Sequence, residues 1–389
     1  MNRQLHIALI AGEPSGDALG AGLMAALKAK TNRRVRFSGV GGPLMEAQGL
    51  ASLFAYDELA VMGFVEVVPK LGLIYWRMRQ TRAALNASKP DALVTIDAPG
   101  FTVGVVKGLG KREFPRIHYV APSVWAWRPK RVHKFKQHFD QLLALLPFEP
   151  PLFEEVGLAC SFVGHPVLES GADAGDGQGF RSRRSIPADH LLISILPGSR
   201  QGEVRRMLGP FGAAMALLKA KYADMDLVIP AMPAVEPMIR QAVKNWPVPA
   251  RIVSAPDEGF DAMAASDVAL AASGTVSLEL ALARVPAVIA YKLSPLTAII
   301  LRRLFQVDHV NLVNIILGKG AVPELLQQDA TPERLAEEVD GLIASPERRQ
   351  AVVGAQNEAI AKLRPPQNKA SEGAADVVLK TIETWERQE

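Results

Sequence analysis

Ala92-Leu-Val-Thr-Ile96 runs directly into Asp97-Ala-Pro-Gly100. The first five residues read as a strand buried on both faces, because a half-exposed strand would alternate apolar with polar positions. The carboxylate, proline and glycine that follow end the strand and open a helix. The arrangement returns downstream, where Asp267-Val-Ala-Leu-Ala-Ala272 leads into Ser273-Gly274-Thr275, with Glu279 four residues on. Parallel sheets bind ligands outside the carboxyl ends of their strands, so both stretches stand where such a fold keeps its chemistry.

Around the first stretch, strands are expected at His6–Ala11, Val35–Val40, Ile117–Val120 and Leu142–Leu146, with helical patterns between them such as Ala18–Lys30. Around the second, Leu191–Leu196, Asp226–Ile229, Arg251–Val253 and Pro286–Tyr291 repeat the pattern, with a helix over Glu203–Lys221. Strand and helix in alternation predict an α/β fold with parallel sheets covered on both faces. Gly171-Ala-Asp-Ala-Gly-Asp-Gly-Gln-Gly179 separates the halves and reads as a flexible connection. The expected plan is a domain over 1–165, a linker over 166–190, a second domain over 191–345 and C-terminal helices over 346–389, broken at Pro365-Pro366. Two doubly wound domains hinged at the linker would enclose a cleft.

A chain of 389 residues exceeds what one core usually supports, which agrees with two domains. It is 49% apolar and 22% charged, an ordinary globular composition, and no apolar run reaches the ~18–20 residues needed to span a bilayer. Leu5-His-Ile-Ala-Leu-Ile-Ala11 meets Glu13 and Asp17 at once and reads as a first buried strand, not a signal peptide. Cys160 is the single cysteine, so a reducing, cytoplasmic setting is expected, and the seven histidines show no metal-ligand spacing. Neither a metal nor another cofactor is expected.

The net charge of +4 is modest, but its distribution is informative. Arg128, Lys130, Arg131, His133, Lys134 and Lys136 follow Trp125 and Trp127, and Arg302-Arg303 lie within an apolar run. Basic residues beside bulky apolar ones fit an anionic membrane surface or a lipid phosphate better than a nucleic-acid groove. The stretch Val61-Met-Gly-Phe-Val65 through Val68, with Tyr75, Trp76 and Arg77 beyond it, has the apolar, aromatic and basic character of an interfacial segment, against a core helix as the plainer reading.

Gly12-Glu13-Pro14-Ser15-Gly16-Asp17 follows the first strand, where glycines and a helix start suit an anion, or where Ser15 or Asp17 simply caps the helix. It is not the dinucleotide fingerprint, since Gly-x-Gly-x-x-Gly is absent. Asp97 is a general-base candidate or a helix cap. Ser199-Arg200 with Glu203 offers a guanidinium to a phosphate, or a surface ion pair between Arg200 and Glu203. Ser273, Gly274 and Thr275 suit a diphosphate, and Glu279, turned aside from the apolar face of its helix, suits the two hydroxyls of a ribose or is simply solvated.

Together these residues resemble the lipid-A-disaccharide synthase family. The matching stretches are Ala11-Gly-Glu-Pro-Ser-Gly-Asp17, Leu59–Val67, Asp97–Phe101, Ala121-Pro-Ser-Val-Trp-Ala-Trp-Arg128, Phe162-Val-Gly-His-Pro166, Leu196-Pro-Gly-Ser-Arg200, Ser273–Thr275 with Glu279, and Val310-Asn-Leu-Val-Asn-Ile315. Pro14 stands where the family has a small residue, stiffening the first loop, and Val313 where Pro is expected.

The resemblance implies a GT-B fold of two Rossmann-like domains, the N-terminal one on the acceptor and lipid side and the C-terminal one binding the UDP-sugar, with the last helices crossing back to the first domain. The implied reaction joins UDP-2,3-diacylglucosamine to 2,3-diacylglucosamine 1-phosphate, with inversion, to give a β(1→6) tetraacyl disaccharide phosphate and UDP. Asp97 would be the base. Arg200, Ser199, Ser273, Gly274, Thr275, Glu279 and Asn314 would line the donor side, the last without an assigned role. Glu13, Ser15, Gly16 and Asp17 would form the acceptor loop. Peripheral attachment to the cytoplasmic face of an anionic inner membrane is implied, a homodimer is admitted, and no nucleic-acid partner is expected. The rival readings are another GT-B enzyme, such as a UDP-sugar epimerase or the transferase of peptidoglycan precursors, which should lack Val61-Met-Gly-Phe64 and Trp125-Ala-Trp127, and a carrier, which needs no base.

Overall fold

The computed structural model describes residues 3–59, 71–293, 308–365 and 369–387. The chain divides into unit 1, Met1–Pro166 with Leu363–Glu389, and unit 2, Val167–Lys362.

Unit 1 is built on a parallel sheet of β1 (Leu5–Ala11), β2 (Val35–Val40), β3 (Ala92–Ile96), β4 (Arg116–Tyr119), β5 (Gln141–Ala144) and β6 (Ala159–Phe162), in spatial order β2-β1-β3-β4-β5-β6. Every residue of β1 and β3 is buried. Alternate side chains of β1 enter different cores: Leu5, Ile7 and Leu9 pack on one face, Ala8 and Ile10 on the other. Among the described residues its helices are α1 (Pro14–Lys30), α2 (Pro43–Ala47), α3 (Leu71–Ser88), α4 (Pro99–Lys107), α5 (Arg131–His138) and α6 (Pro150–Glu154), joined by a helix from the far end of the chain, α15 (Ala370–Glu386). Ala374, Ala375, Val378 and Ile382 of α15 share a core with Leu23 and Leu27 of α1, and Lys30 pairs with Asp376 at 2.7 Å.

Unit 2 repeats the design with β7 (Leu191–Leu196), β8 (Met225–Ala231), β9 (Ala250–Ser254), β10 (Val268–Ala272), β11 (Ala287–Tyr291) and β12 (Glu324–Leu326), in spatial order β12-β11-β10-β7-β8-β9. Among the described residues its helices are α7 (Gly177–Arg183), α8 (Gln201–Lys219), α9 (Glu236–Val243), α10 (Ala255–Ala264), α11 (Val276–Leu282), α12 (Leu312–Leu317), α13 (Pro332–Ala344) and α14 (Pro346–Leu363).

In each sheet the chain reverses direction once. In unit 1 it lays β2 on one side of β1, then β3 on the other; in unit 2 it lays β8 and β9 on one side of β7, then β10 on the other. At such a switch point the connecting helices leave in opposite directions and open a crevice at the carboxyl ends of the two central strands. Register brings Ala11 beside Ile96 and Leu196 beside Ala271, so the loops opening at Gly12 and Asp97, and those opening at Pro197 and Ser273, emerge side by side.

Two expectations change. Residues 166–190 are not a bare connection, because Phe180 is fully buried with Ile186, Leu192, Val228 and Val253 in a core cluster. The glycines there serve close approach: a Cβ on Gly175 or Gly177 would lie 2.4 Å from the Phe260 or Ala264 carbonyl of α10. The last segment is shared, with α14 almost wholly in unit 2 and α15 in unit 1.

Candidate active site

At the mouth of unit 1, Asp97 and Ala98 are both in the left-handed region, with φ of 46° and 44°. Consecutive non-glycine residues there are costly, about 1–3 kcal/mol each, and persist only where the surroundings impose them. Here the Asp97 N–H donates to the Tyr119 carbonyl of β4 at 3.0 Å, and the Thr102 hydroxyl donates to the carbonyls of Asp97 and Ala98, both at 3.0 Å. A third outlier, the β-branched Val120 at φ 78°, lies at the end of β4 beside them.

The N-cap of α4 is Ala98, without a side-chain cap bond, so Asp97 does not cap the helix. Among the described residues the Asp97 carboxylate is half-buried and has no hydrogen-bond or ion-pair partner. An uncommitted acid held on strained backbone at a switch point can take a proton from a bound hydroxyl.

The loop after β1 lies against it, since a Cβ on Gly12 would be 3.1 Å from that of Ala98. Glu13 is the extended N-cap of α1, and Pro14 is its first helical residue, where the missing N–H costs nothing. The helix therefore starts four residues before the expected Ala18. Ser15 is exposed and Gly16 buried. Asp17 is only 2% exposed. Its Oδ1 accepts from the N–H of Gly42 at 2.9 Å and of Met45 at 3.0 Å, and its Oδ2 from Leu44 at 3.0 Å. Asp17 thus pins the loop after β2 and caps the neighbouring α2, not its own helix.

At the mouth of unit 2, Arg200 is the extended N-cap of α8 and is exposed with Ser199. Glu203 makes no ion pair with it. Its carboxylate reaches back to the N–H groups of Ser199 and Arg200, and burial pushes its carboxyl up against those bonds and the nearby Arg200 charge. Gly198, at φ 115°, leaves room for that carboxylate, since a Cβ there would lie 2.2 Å from Oε2. Among the described residues the Arg200 guanidinium makes no hydrogen bond or close ion pair, and only its charge is felt by Glu203 and Tyr291. Burial first, then the Glu203 charge, raises the phenol of Tyr291 at the end of β11, which closes this side of the mouth.

The hydroxyl of Ser273 donates to the Val310 carbonyl at 2.8 Å and is consumed in shaping its loop, while Gly274 and Thr275 are exposed. Thr275 is the N-cap of α11, and Glu279, one turn on, is half-buried with its carboxyl raised by burial.

Asn314 is fully buried and fully used. Its Oδ1 accepts from Ala321 at 3.0 Å and Val322 at 2.8 Å, and its Nδ2 donates to the Val322 carbonyl at 2.9 Å and to Glu324 Oε2 at 3.2 Å. It clamps the loop leading to β12, which gives a structural role to a residue that the sequence left without one.

Of the interfacial set, Val61, Met62, Phe64, Val65 and Val68 lie outside the described residues. Tyr75 and Trp76, on α3, are 59% and 53% exposed, with Leu71 and Leu73 exposed beside them. Arg77 differs from its expected lipid-facing role. It is paired with Glu58 through Nε at 2.8 Å and through a terminal nitrogen at 2.6 Å, and lies over the rings of Phe54 and Trp76. Among the described residues no helix is long and apolar enough to cross a membrane.

Sequence reasoning missed Thr102, which holds the strained pair, and Glu149, a buried carboxylate after β5. The signal for Glu149 was a lone acid following Leu145-Leu-Pro-Phe148 at a strand mouth.

The family model described as lipid-A-disaccharide synthetase matches residues 7–378. Lipid-A-disaccharide synthase of Rhodospirillum centenum is 50% identical over 386 residues, covering 98% of this chain and 96% of that protein. The synthase of Paramagnetospirillum magneticum is 46% identical, covering 98% and 99%. Among solved structures, MurG of Acinetobacter baumannii has a TM-score of 0.60 at 16% identity, covering 97% of this chain and 99% of that one. UDP-GlcNAc 2-epimerase from Neisseria meningitidis, bound to UDP-GlcNAc, has a TM-score of 0.61 at 12% identity, covering 98% and 100%. The structures share the fold across epimerases and transferases alike; the sequence relatives separate them. The chain belongs to the lipid-A-disaccharide synthase family, glycosyltransferases of lipid A biosynthesis with the GT-B fold.

Proposed function

We propose that the chain transfers the sugar of UDP-2,3-diacylglucosamine to the 6-hydroxyl of 2,3-diacylglucosamine 1-phosphate, with Asp97 as the general base. Asp97 takes the hydroxyl proton as that oxygen forms its bond to the anomeric carbon. The bond from that carbon to the UDP oxygen breaks, the electron pair leaves on the diphosphate, and the anomeric centre inverts. Arg200 and the N–H groups of Gly274 and Thr275 stabilise the charge on the departing diphosphate. Glu279 accepts from the ribose hydroxyls. Ser273 and Asn314 act through the loops they hold. Glu13, Ser15 and Gly16 shape the acceptor side, and the exposed Leu71, Leu73, Tyr75 and Trp76 rest on the membrane that carries both lipids.

The observation that carries this reading is the free carboxylate of Asp97 on strained backbone at the switch point of unit 1. Asparagine tolerates left-handed backbone, so Asp97→Asn should keep the melting temperature and lower UDP release from the two defined lipids by ~10²–10⁴. Near-normal turnover in that variant would remove Asp97 from the chemistry. A mass spectrum of the wild-type product fixes the substrates.

A further inference from the structure

Unit 1 holds a built polar cluster that the transfer chemistry above does not use. Glu149 follows β5 and is only 3% exposed. Its Oε1 accepts from the indole Nε1 of Trp125 at 3.1 Å, and its Oε2 from the N–H of Leu146 at 3.0 Å. The N–H of Leu145 bonds to it as well. Trp125 meets the Phe148 ring edge-on, with centroids 5.4 Å apart. One carboxylate therefore ties the loop after β4, which carries Trp125, to the loop after β5.

The first of these loops leaves the sheet beside the candidate base. The Tyr119 carbonyl receives the Asp97 N–H, and the next residue is the strained Val120, whose own N–H donates to the Leu143 carbonyl. A buried charge is costly, and a neutral amide could pin two loops for less. A charged acceptor in this place holds its donors more strongly than an amide would.

We propose that Glu149 is a positioning residue of the transfer reaction: through the Trp125 indole it holds the loop after β4 in the arrangement that receives the acceptor lipid. The proposal rests on reading unit 1 as the acceptor side. Burial pushes the Glu149 carboxyl up to about 7, with the Trp125, Leu146 and Leu145 bonds acting against it. The titratable groups near it are Cys160 on β6, whose thiol is raised by burial and then by the Glu149 and Glu154 charges, and Glu154 on α6. No cation enters the balance at Glu149. All its partners are N–H donors, so protonation weakens an acceptor and adds an O–H facing donors. The hold is firm above pH about 7 and slackens below it.

The test uses the full chain, with Glu149→Gln and Trp125→Phe, and indole N–H resonances assigned through Trp125→Phe. In the wild type the Trp125 resonance should shift with a midpoint near pH 7, where burial places the Glu149 carboxyl, and kcat/KM for the diacyl acceptor should rise through the same midpoint. Both variants should lose that rise, with acceptor KM up by about tenfold, the loss expected of one bond to a buried charge, and donor KM nearly unchanged. If Glu149→Gln does not fold, Trp125→Phe leaves the carboxylate its backbone bonds and carries the same kinetic test. A wild type that binds no diacyl acceptor overturns the acceptor reading and the proposal with it. A wild type that binds the acceptor, with variants that keep its affinity or its pH profile, overturns the proposal alone.

Discussion

Asp97 and Asn314 stand in opposite relations to their surroundings, and that difference is the one the proposed roles require: an uncommitted group for the chemistry and a committed one for the architecture. Asp97 lies on costly backbone with its carboxylate unused, whereas all four polar bonds of Asn314 are made inside the chain. Removing the amide leaves two N–H groups, a carbonyl and the Glu324 carboxylate short of a partner in a buried place. Each such orphan costs roughly 1–3 kcal/mol where no water can enter. Asn314→Ala should therefore lose at least about 3 kcal/mol of unfolding free energy, measured by urea denaturation with fluorescence detection. A variant that melts like the wild type yet no longer binds UDP in a calorimetric titration would restore Asn314 as a direct contact.

At the level of elements, the long buried strands were legible and the short edges were not. β10 is an unbroken apolar run, and β1, β3 and β7 are apolar but for His6, Thr95 and Ser194; glycine, proline or polar residues end all four, and a parallel sheet with both faces covered demands such near-continuous apolar strands. β6 reads Ala-Cys-Ser-Phe and β12 spans three residues, too short and too mixed to signal a strand. The candidate base and donor residues were legible because strand mouths announce themselves. The internal bonds of Asp17 and Asn314 were not legible, because polar residues at a mouth look alike until their partners are known. Composition misled most in the Gly/Asp segment before α7, where glycine signals packing against α10 rather than flexibility. Phe180→Ala should thus cost about 3–5 kcal/mol, the usual range for emptying a buried aromatic site. A denaturant midpoint unchanged by that substitution would return the segment to the status of a linker.

At the scale of the whole molecule, exposed apolar residues on α3 meet a composition that is otherwise ordinary. Leu71, Leu73, Tyr75 and Trp76 crowd the first turns of that helix, while Arg77 is turned inward to Glu58. Attachment to a bilayer should then depend more on apolar burial than on charge, since an exposed basic residue near an anionic surface adds about 1 kcal/mol. In flotation with anionic vesicles, moderate salt should release only part of the protein, and joint replacement of Tyr75 and Trp76 by Ser should release more. Vesicle binding that survives the replacement and vanishes with salt would reverse that order and make the contact electrostatic.

The return of α15 to the first unit also sets a timetable. A ribosome delivers residues in order, so β1, β2 and α1 emerge early, yet the side chains that cover α1 belong to Ala374, Ala375, Val378 and Ile382. All of unit 2 is synthesised in between. The second unit can therefore complete its sheet on the nascent chain, whereas the first must keep an apolar helix face open through nearly two hundred residues of further translation, Val167 to Lys362. The early half is the late folder, and it is the half that needs shelter from aggregation while the rest is being made.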